Sequence, residues 1–297
     1  MTSTPTLDLS LLHSRVLRWY AEHARPLPWR ADGTTPWEVF VSEVMSQQTP
    51  VARVVPAWRE WLRRWPTPAH LAAASPGDAV RLWGRLGYPR RALRLREAAI
   101  AMVERHDGEV PGSHSDLLDL PGVGSYTAAA VASFAFDDPQ VVIDTNVRRV
   151  LVRTLDGQAQ AARSLTAHEA RLAASAMPAD PEDANRWNAA VMELGALVCT
   201  ARAPACERCP VIDLCAWQRA GRPAYEGPAR RGQAWHGTDR QVRGRIVQLL
   251  REASGPVPRA CIDDVWPDDA TKVDRCLAGL VEDGLVEPVD GGYALPA

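Results

Sequence analysis

Four cysteines, Cys199, Cys206, Cys209 and Cys215, fall within seventeen residues in the pattern Cys-x6-Cys-x2-Cys-x5-Cys. No other feature restricts the fold as tightly, because short turns can bring four such thiolates onto one centre. Structural zinc usually takes two Cys-x2-Cys knuckles separated by a longer loop, or a mixed set completed by His. Here there is one knuckle and no His inside the cluster. The spacing therefore favours a [4Fe–4S] cluster, with zinc as the alternative. Cys261 and Cys276 stand apart among apolar neighbours and are expected to be buried thiols. A tight cysteine cluster suits a reducing compartment. The opening MTSTPTLDLS lacks the basic and apolar regions of a signal peptide. The longest apolar run, residues 128–136, is far short of the ~20 residues that span a bilayer. A cytoplasmic, nucleoid-associated protein without a membrane span is expected.

From about residue 9 to residue 217 the chain reads as helix after helix, broken by short turns with Pro, Gly or Asp. Apolar residues recur at three- and four-residue spacing, as in Val54, Trp58, Trp61, Leu62 and Trp65. Helices are expected over 12–23, 37–48, 51–65, 68–74, 76–82, 90–106 and 126–134, and the fold class is all-α. Residues 219–238, rich in Gly, Pro, Ala and Arg, read as a linker. Beyond them three helices and a hairpin around Asp290-Gly291-Gly292 suggest a winged-helix-like module over 239–297. That module carries a net charge of −4 within a chain of net −2. Such a balance argues against a strong phosphate grip and makes a protein-contact or packing role at least as suitable.

Residues 120–128, Leu-Pro-Gly-Val-Gly-Ser-Tyr-Thr-Ala, form a tight turn entering a helix. Gly122 and Gly124 let backbone N–H groups approach an anion, and the helix N-terminus adds favourable partial charge. No strand precedes the turn and no Walker lysine follows, so a nucleotide fold is excluded in favour of a DNA-phosphate clasp or a plain helix–helix turn. Asp144 sits just ahead of a helix at about 147–155, where Asp is commonly an N-cap. Glu43 lies within the helix expected over 37–48, with Val39 and Phe40 on its face. Burial would favour the protonated form that a general acid requires. On spacing alone, each carboxylate fits a structural role at least as well as a catalytic one.

Together these motifs resemble the helix-hairpin-helix DNA glycosylase superfamily, and most closely its MutY-type adenine glycosylases. The resemblance rests on Leu27-Pro28-Trp29-Arg30, on residues 41–49 (Val-Ser-Glu-Val-Met-Ser-Gln-Gln-Thr), on Leu86-Gly87-Tyr88, on the glycine turn, on residues 144–147 and on the cysteine cluster. It covers roughly residues 9–217. The resemblance implies a glycosylase domain over 1–218, with a six-helix barrel over 31–136 and a cluster subdomain formed by 1–30 and 137–218. It implies a monomer that acts on double-stranded DNA containing adenine opposite 8-oxoguanine or guanine, flipping the adenine into a pocket. Glu43 would protonate the base, and Asp144 would stabilise the cationic sugar, with Tyr126 and Asn146 in support. Arg30, Gln48, Thr49, Leu86, Tyr88, Gly122 and Gly124 would contact DNA. The cluster would be positional, presenting Arg202 and Arg208 to the duplex.

The lysine census discriminates within the superfamily. Endonuclease III-type enzymes place a Schiff-base lysine in the glycine turn, where this chain has Tyr126. Lys272, in the C-terminal module, is the only lysine among 34 basic residues. A glycosylase without strong strand-cleaving activity is therefore expected. Residues 239–297 are too short for the hydrolase-like C-terminal domain common in MutY-type enzymes, so preference for 8-oxoguanine is less secure than adenine removal. Two rivals remain at this point: a thymine or oxidised-pyrimidine glycosylase on the same fold, and a non-catalytic DNA-binding iron–sulfur protein.

Overall fold

Polar side chains and prolines set the helix starts in the computed structural model, which describes residues 8–227 and 235–297. Asp8 caps α1 (Leu9–His23), accepting from the N–H groups of Ser10 and Leu11. Next come α2 (Pro36–Ser46), α3 (Val51–Arg64), α4 (Pro68–Ala72) and α5 (Pro76–Trp83), the last begun by a Ser75 cap and Pro76 in its first turn. They are followed by α6 (Arg90–Arg105), α7 (His114–Leu118), α8 (Ser125–Phe136) and α9 (Thr145–Thr154), which Asp144 caps. A capping box between Thr166 and Glu169 opens α10 (Ala167–Ser175), and Asp180 with Pro181 opens α11 (Pro181–Leu197). After α12 (Ala216–Arg219) come α13 (Asp239–Glu252), α14 (Arg259–Asp263) and α15 (Ala270–Glu282). The strands β1 (Glu287–Val289) and β2 (Gly292–Ala294) pair antiparallel, Val289 facing Gly292. The expected all-α class holds, with this hairpin as its only sheet among the described residues. Residues 228–234, inside the expected linker, lie outside the described residues, as do residues 1–7. No described helix is long and apolar enough to cross a membrane.

The chain forms two compact units. One contains α1 and α7–α12. Its core joins Leu12 and Val16 of α1 to Val150 and Leu151 of α9 and Trp187 and Leu194 of α11. In α8 every residue from Thr127 to Ser133 is buried, and most are alanine or serine. Side chains that small allow neighbouring segments to approach a helix from all sides, so α8 lacks a solvated face.

The other unit contains α2–α6 and α13–α15 with the hairpin. The tryptophan spacing of α3 does face inward: Trp61 is fully buried, edge-on to Trp65 at 4.6 Å and to Trp83 at 5.6 Å. The C-terminal residues are not a tethered appendage. Val80 of α5 belongs to the same core as Val242, Ile246, Leu277 and Leu285. The Gly77 N–H donates to Pro296 O at 2.7 Å, and a Cβ on Gly77 would stand 2.4 Å from that oxygen. Arg251 donates to Val80 O at 2.9 Å, and its burial pushes the guanidinium down to about 10. Compactness thus groups 239–297 with α2–α6, and groups α7 and α8 with the cluster-bearing residues. Cys276 is buried as expected, but Cys261 is exposed. On the short α14 only Ile262 turns into the core.

Candidate active site and metal centre

The four cysteines enter from different local structures. Cys199 follows the end of α11, Cys206 opens a 3-10 turn, Cys209 closes it, and Cys215 caps α12. All four line one cavity, together with Val150, Leu194, Val198, Ile212 and Trp217. Thiols arranged around a void suit a polynuclear cluster better than one zinc ion. Burial pushes the Cys209 thiol up to about 12 and the Cys215 thiol in the same direction. Thiolates in such surroundings are stabilised by the positive charge of iron. Arg153, almost fully buried, donates to Cys199 Sγ at 3.3 Å and to Thr200 O at 2.8 Å, and lies over the Trp217 ring. The residues therefore fit the cluster.

In the same unit, Asp144 combines its capping role with a constrained carboxylate. Oδ1 accepts from the Val147 N–H at 2.6 Å, and Oδ2 accepts from the Asn146 amide at 2.6 Å. Burial pushes the carboxyl above the usual carboxylate range, opposed by those two hydrogen bonds. A desolvated, fixed anion interacts more strongly with a nearby developing cation than a hydrated one does. Arg149 supports the arrangement: it donates to Asn146 Oδ1 at 2.7 Å, Gly195 O at 2.7 Å and Cys199 O at 2.7 Å. Gly195 is required there, because a Cβ would lie 2.6 Å from Asn146 Cβ. Asn146→Ala is expected to raise the Asp144 pKa further, because the carboxylate loses a hydrogen bond that favours its charged form. An unshifted Asp144 titration in the variant, followed by NMR, would count against this support. Tyr126 is half-buried at the start of α8, packed with Ala129, Ala130 and Val142.

In the other unit, Glu43 is only 7 % exposed on α2, where residues 39–45 are all buried. The helix ends at Ser46, two residues earlier than expected, and Gln48 then takes a left-handed φ of 55°. Tyr88 does the same at 49°. Both are exposed, and non-glycine residues seldom hold this conformation without support. The support is Arg91, which sequence reasoning missed. It donates to Val44 O, Gln47 O, Leu86 O and Gly87 O and to Thr49 Oγ1, at 2.7 to 3.4 Å. Burial among these carbonyls pushes it down to about 10. One guanidinium thus fixes both loops.

Three residues expected at the DNA have their side chains turned into the protein. Thr49 is buried and its hydroxyl donates to Leu86 O at 3.2 Å, while Leu86 is 6 % exposed. Arg30 donates to Glu193 at 3.2 Å, beside Arg25, which grips the same carboxylate at 2.6 and 2.9 Å. Burial works against charge on Glu193, yet these arginines hold its carboxyl below the ordinary range. Gly122 has φ 76°, and a Cβ there would stand 2.7 Å from Arg94 Cβ. Gly124 is the residue before α8, so the turn exposes that helix N-terminus.

Residues 41–173 match the family described as the HhH-GPD superfamily of base excision DNA repair proteins. Residues 199–215, the cysteine segment, match the iron–sulfur binding domain of endonuclease III, so the bound group is a [4Fe–4S] cluster. The adenine DNA glycosylase of Mycobacterium tuberculosis is 50% identical over 284 residues, covering 95% of this chain and 93% of that protein. That of Mycolicibacterium smegmatis is 48% identical, covering 97% of each. Among solved structures, a thermostable thymine-DNA glycosylase superposes with a TM-score of 0.64 at 25% identity, covering 71% of this chain and 97% of that one. The chain belongs to the adenine DNA glycosylase family of the helix-hairpin-helix base excision repair superfamily.

Proposed function

We propose that the protein removes adenine from double-stranded DNA where it stands opposite 8-oxoguanine or guanine, hydrolysing the N-glycosidic bond without cutting the strand. The observation that carries this reading is the match to an adenine DNA glycosylase over 95% of the chain, and both carboxylates lie within the family-matched residues 41–173. In the proposed reaction Glu43 gives a proton to the adenine ring and afterwards helps activate water. Asp144, held by Val147 and Asn146, stabilises the oxocarbenium-like sugar or captures it transiently, the logic of a two-carboxylate glycosidase. Tyr126 and Asn146 support the sugar, Gln48 and Tyr88 enter the duplex, and the turn at Gly122 and Gly124 holds a phosphate. The protein acts as a monomer at the nucleoid. Thr49 braces the loop at Leu86, and Arg30 pairs with Glu193.

The lysine census supports monofunctional chemistry. Lys272 lies in the C-terminal module, 3.4 Å from Asp269, and no other lysine exists in the chain. Incubation with an A:8-oxoguanine duplex is expected to yield abasic product that breaks only after alkali. Efficient borohydride trapping of a covalent complex would sink the monofunctional assignment. Base release from a panel of duplexes, with A:8-oxoguanine and A:G compared in steady state, tests the substrate. The second reading is excision of thymine, which the similarity to a thymine-DNA glycosylase structure keeps in play. Thymine release exceeding adenine release on that panel would establish it instead.

A further inference from the structure

The first turn of α13 brings the C-terminal module to the loop that carries Tyr88. Arg240, the second residue of α13, has its guanidinium carbon 4.6 Å from the centroid of the Tyr88 ring and 5.5 Å from that of Trp235. Both rings are exposed, Tyr88 at 43 % and Trp235 at 47 %. Arg91 lies 5.8 Å from the same Tyr88 ring and also anchors the Gly87 carbonyl before it. The ring thus has one arginine toward the protein and another at the surface. An exposed array of alternating aromatic and guanidinium groups is the chemistry that single strands and duplex edges recognise. The guanidinium is a planar fork of N–H donors whose geometry matches phosphate.

The module's net charge of −4 had argued against such a role. Five of its eleven acids are ion-paired, however. Asp239 pairs with Arg275 at 2.8 Å, Asp263 and Asp274 pair with Arg259, and Asp283 pairs with Arg90 and Arg243. Asp239, the acid next to Arg240 in the first turn of α13, is thereby paired.

We propose that Arg240 is a DNA-phosphate contact, which makes the C-terminal module part of the duplex-binding surface beside Tyr88. This inference rests on the reading that Tyr88 faces the duplex, and the test separates the two. Arg240→Ala, Arg240→Lys and Tyr88→Ala are made in the full, cluster-loaded chain. Affinity for an A:8-oxoguanine duplex and for an undamaged duplex is measured across a salt series. Arg240→Ala is expected to lower the slope of log affinity against log salt by about 0.9 and to weaken both duplexes equally, by roughly fivefold at ~0.15 M salt. Arg240→Lys should keep the slope. Tyr88→Ala should weaken the mispaired duplex with the slope unchanged. An unchanged slope in Arg240→Ala, with any affinity loss shared non-additively with Tyr88→Ala, would make Arg240 a clamp for the ring and overturn the proposal. Unaltered binding in Arg240→Ala while Tyr88→Ala is impaired would also overturn it. If neither variant changes binding, the reading of Tyr88 fails as well.

Discussion

Replacing Glu43 by Gln is expected to leave the protein bound to an A:8-oxoguanine duplex while adenine release falls by about a thousandfold. The substitution is nearly isosteric, so it preserves the volume occupied within α2, where the side chains from Val39 to Met45 are all buried. It removes the transferable proton, because an amide N–H can donate a hydrogen bond but cannot protonate a departing base. Stability should change little, whereas truncation to Ala would add a cavity and confuse the result. The informative measurement pairs a binding titration with single-turnover base release after alkali work-up. Undiminished release would refute the assigned role. Equal loss of binding and release would make Glu43 a structural residue of α2 rather than a proton donor.

The features legible in the sequence are those whose cause is local. Asp144 declared itself as a cap because N-caps act over three residues, and the Val147 N–H is where that rule puts it. The cysteine centre was legible because seventeen residues contain all its donors. The arginines were not legible, because their partners are remote or belong to the backbone. Arg30 follows a Trp in a motif read as a DNA contact, and its pairing with Glu193, 163 positions away and fully buried, left no local signal. Arg91 binds six carbonyl and hydroxyl oxygens from the end of α2 and two loops, and no side-chain pattern announces a carbonyl acceptor. The end of α2 was misplaced for a related reason. Gln48 is an ordinary helix former by propensity, and its left-handed backbone is imposed by the Arg91 contacts and the following Thr49-Pro50. Packing of 239–297 on α5 depends on a glycine–backbone approach at Gly77 that composition does not encode.

Cys209→Ser is the second large effect, and its direction follows from how the two halves of the cysteine loop are held. The first half is fixed by helix α9 without help from iron. Arg149 binds Cys199 O, and Arg153 binds Thr200 O at 2.8 Å and Ala201 O at 3.3 Å. The second half, residues 206–215, has fewer such ties: Arg15 to Asp213 at 2.5 Å, the buried Val211, and Cys215 Sγ to Arg153 O. Its remaining anchors are the thiolates themselves. Loss of the cluster should therefore loosen the segment bearing exposed Arg208 first, while Arg149, Asn146 and Asp144 keep their hydrogen bonds. The expected result is loss of the iron, a fall in duplex affinity of about tenfold or more, and a single-turnover rate at saturating protein that changes by less than the affinity. If the variant fails to fold, Arg202→Ala with Arg208→Ala in a cluster-loaded chain carries the same argument. That pair should lower affinity and the salt slope while leaving the saturated rate intact. A collapsed rate with affinity retained, in either protein, would place the cysteine loop in the chemistry and refute its positional role.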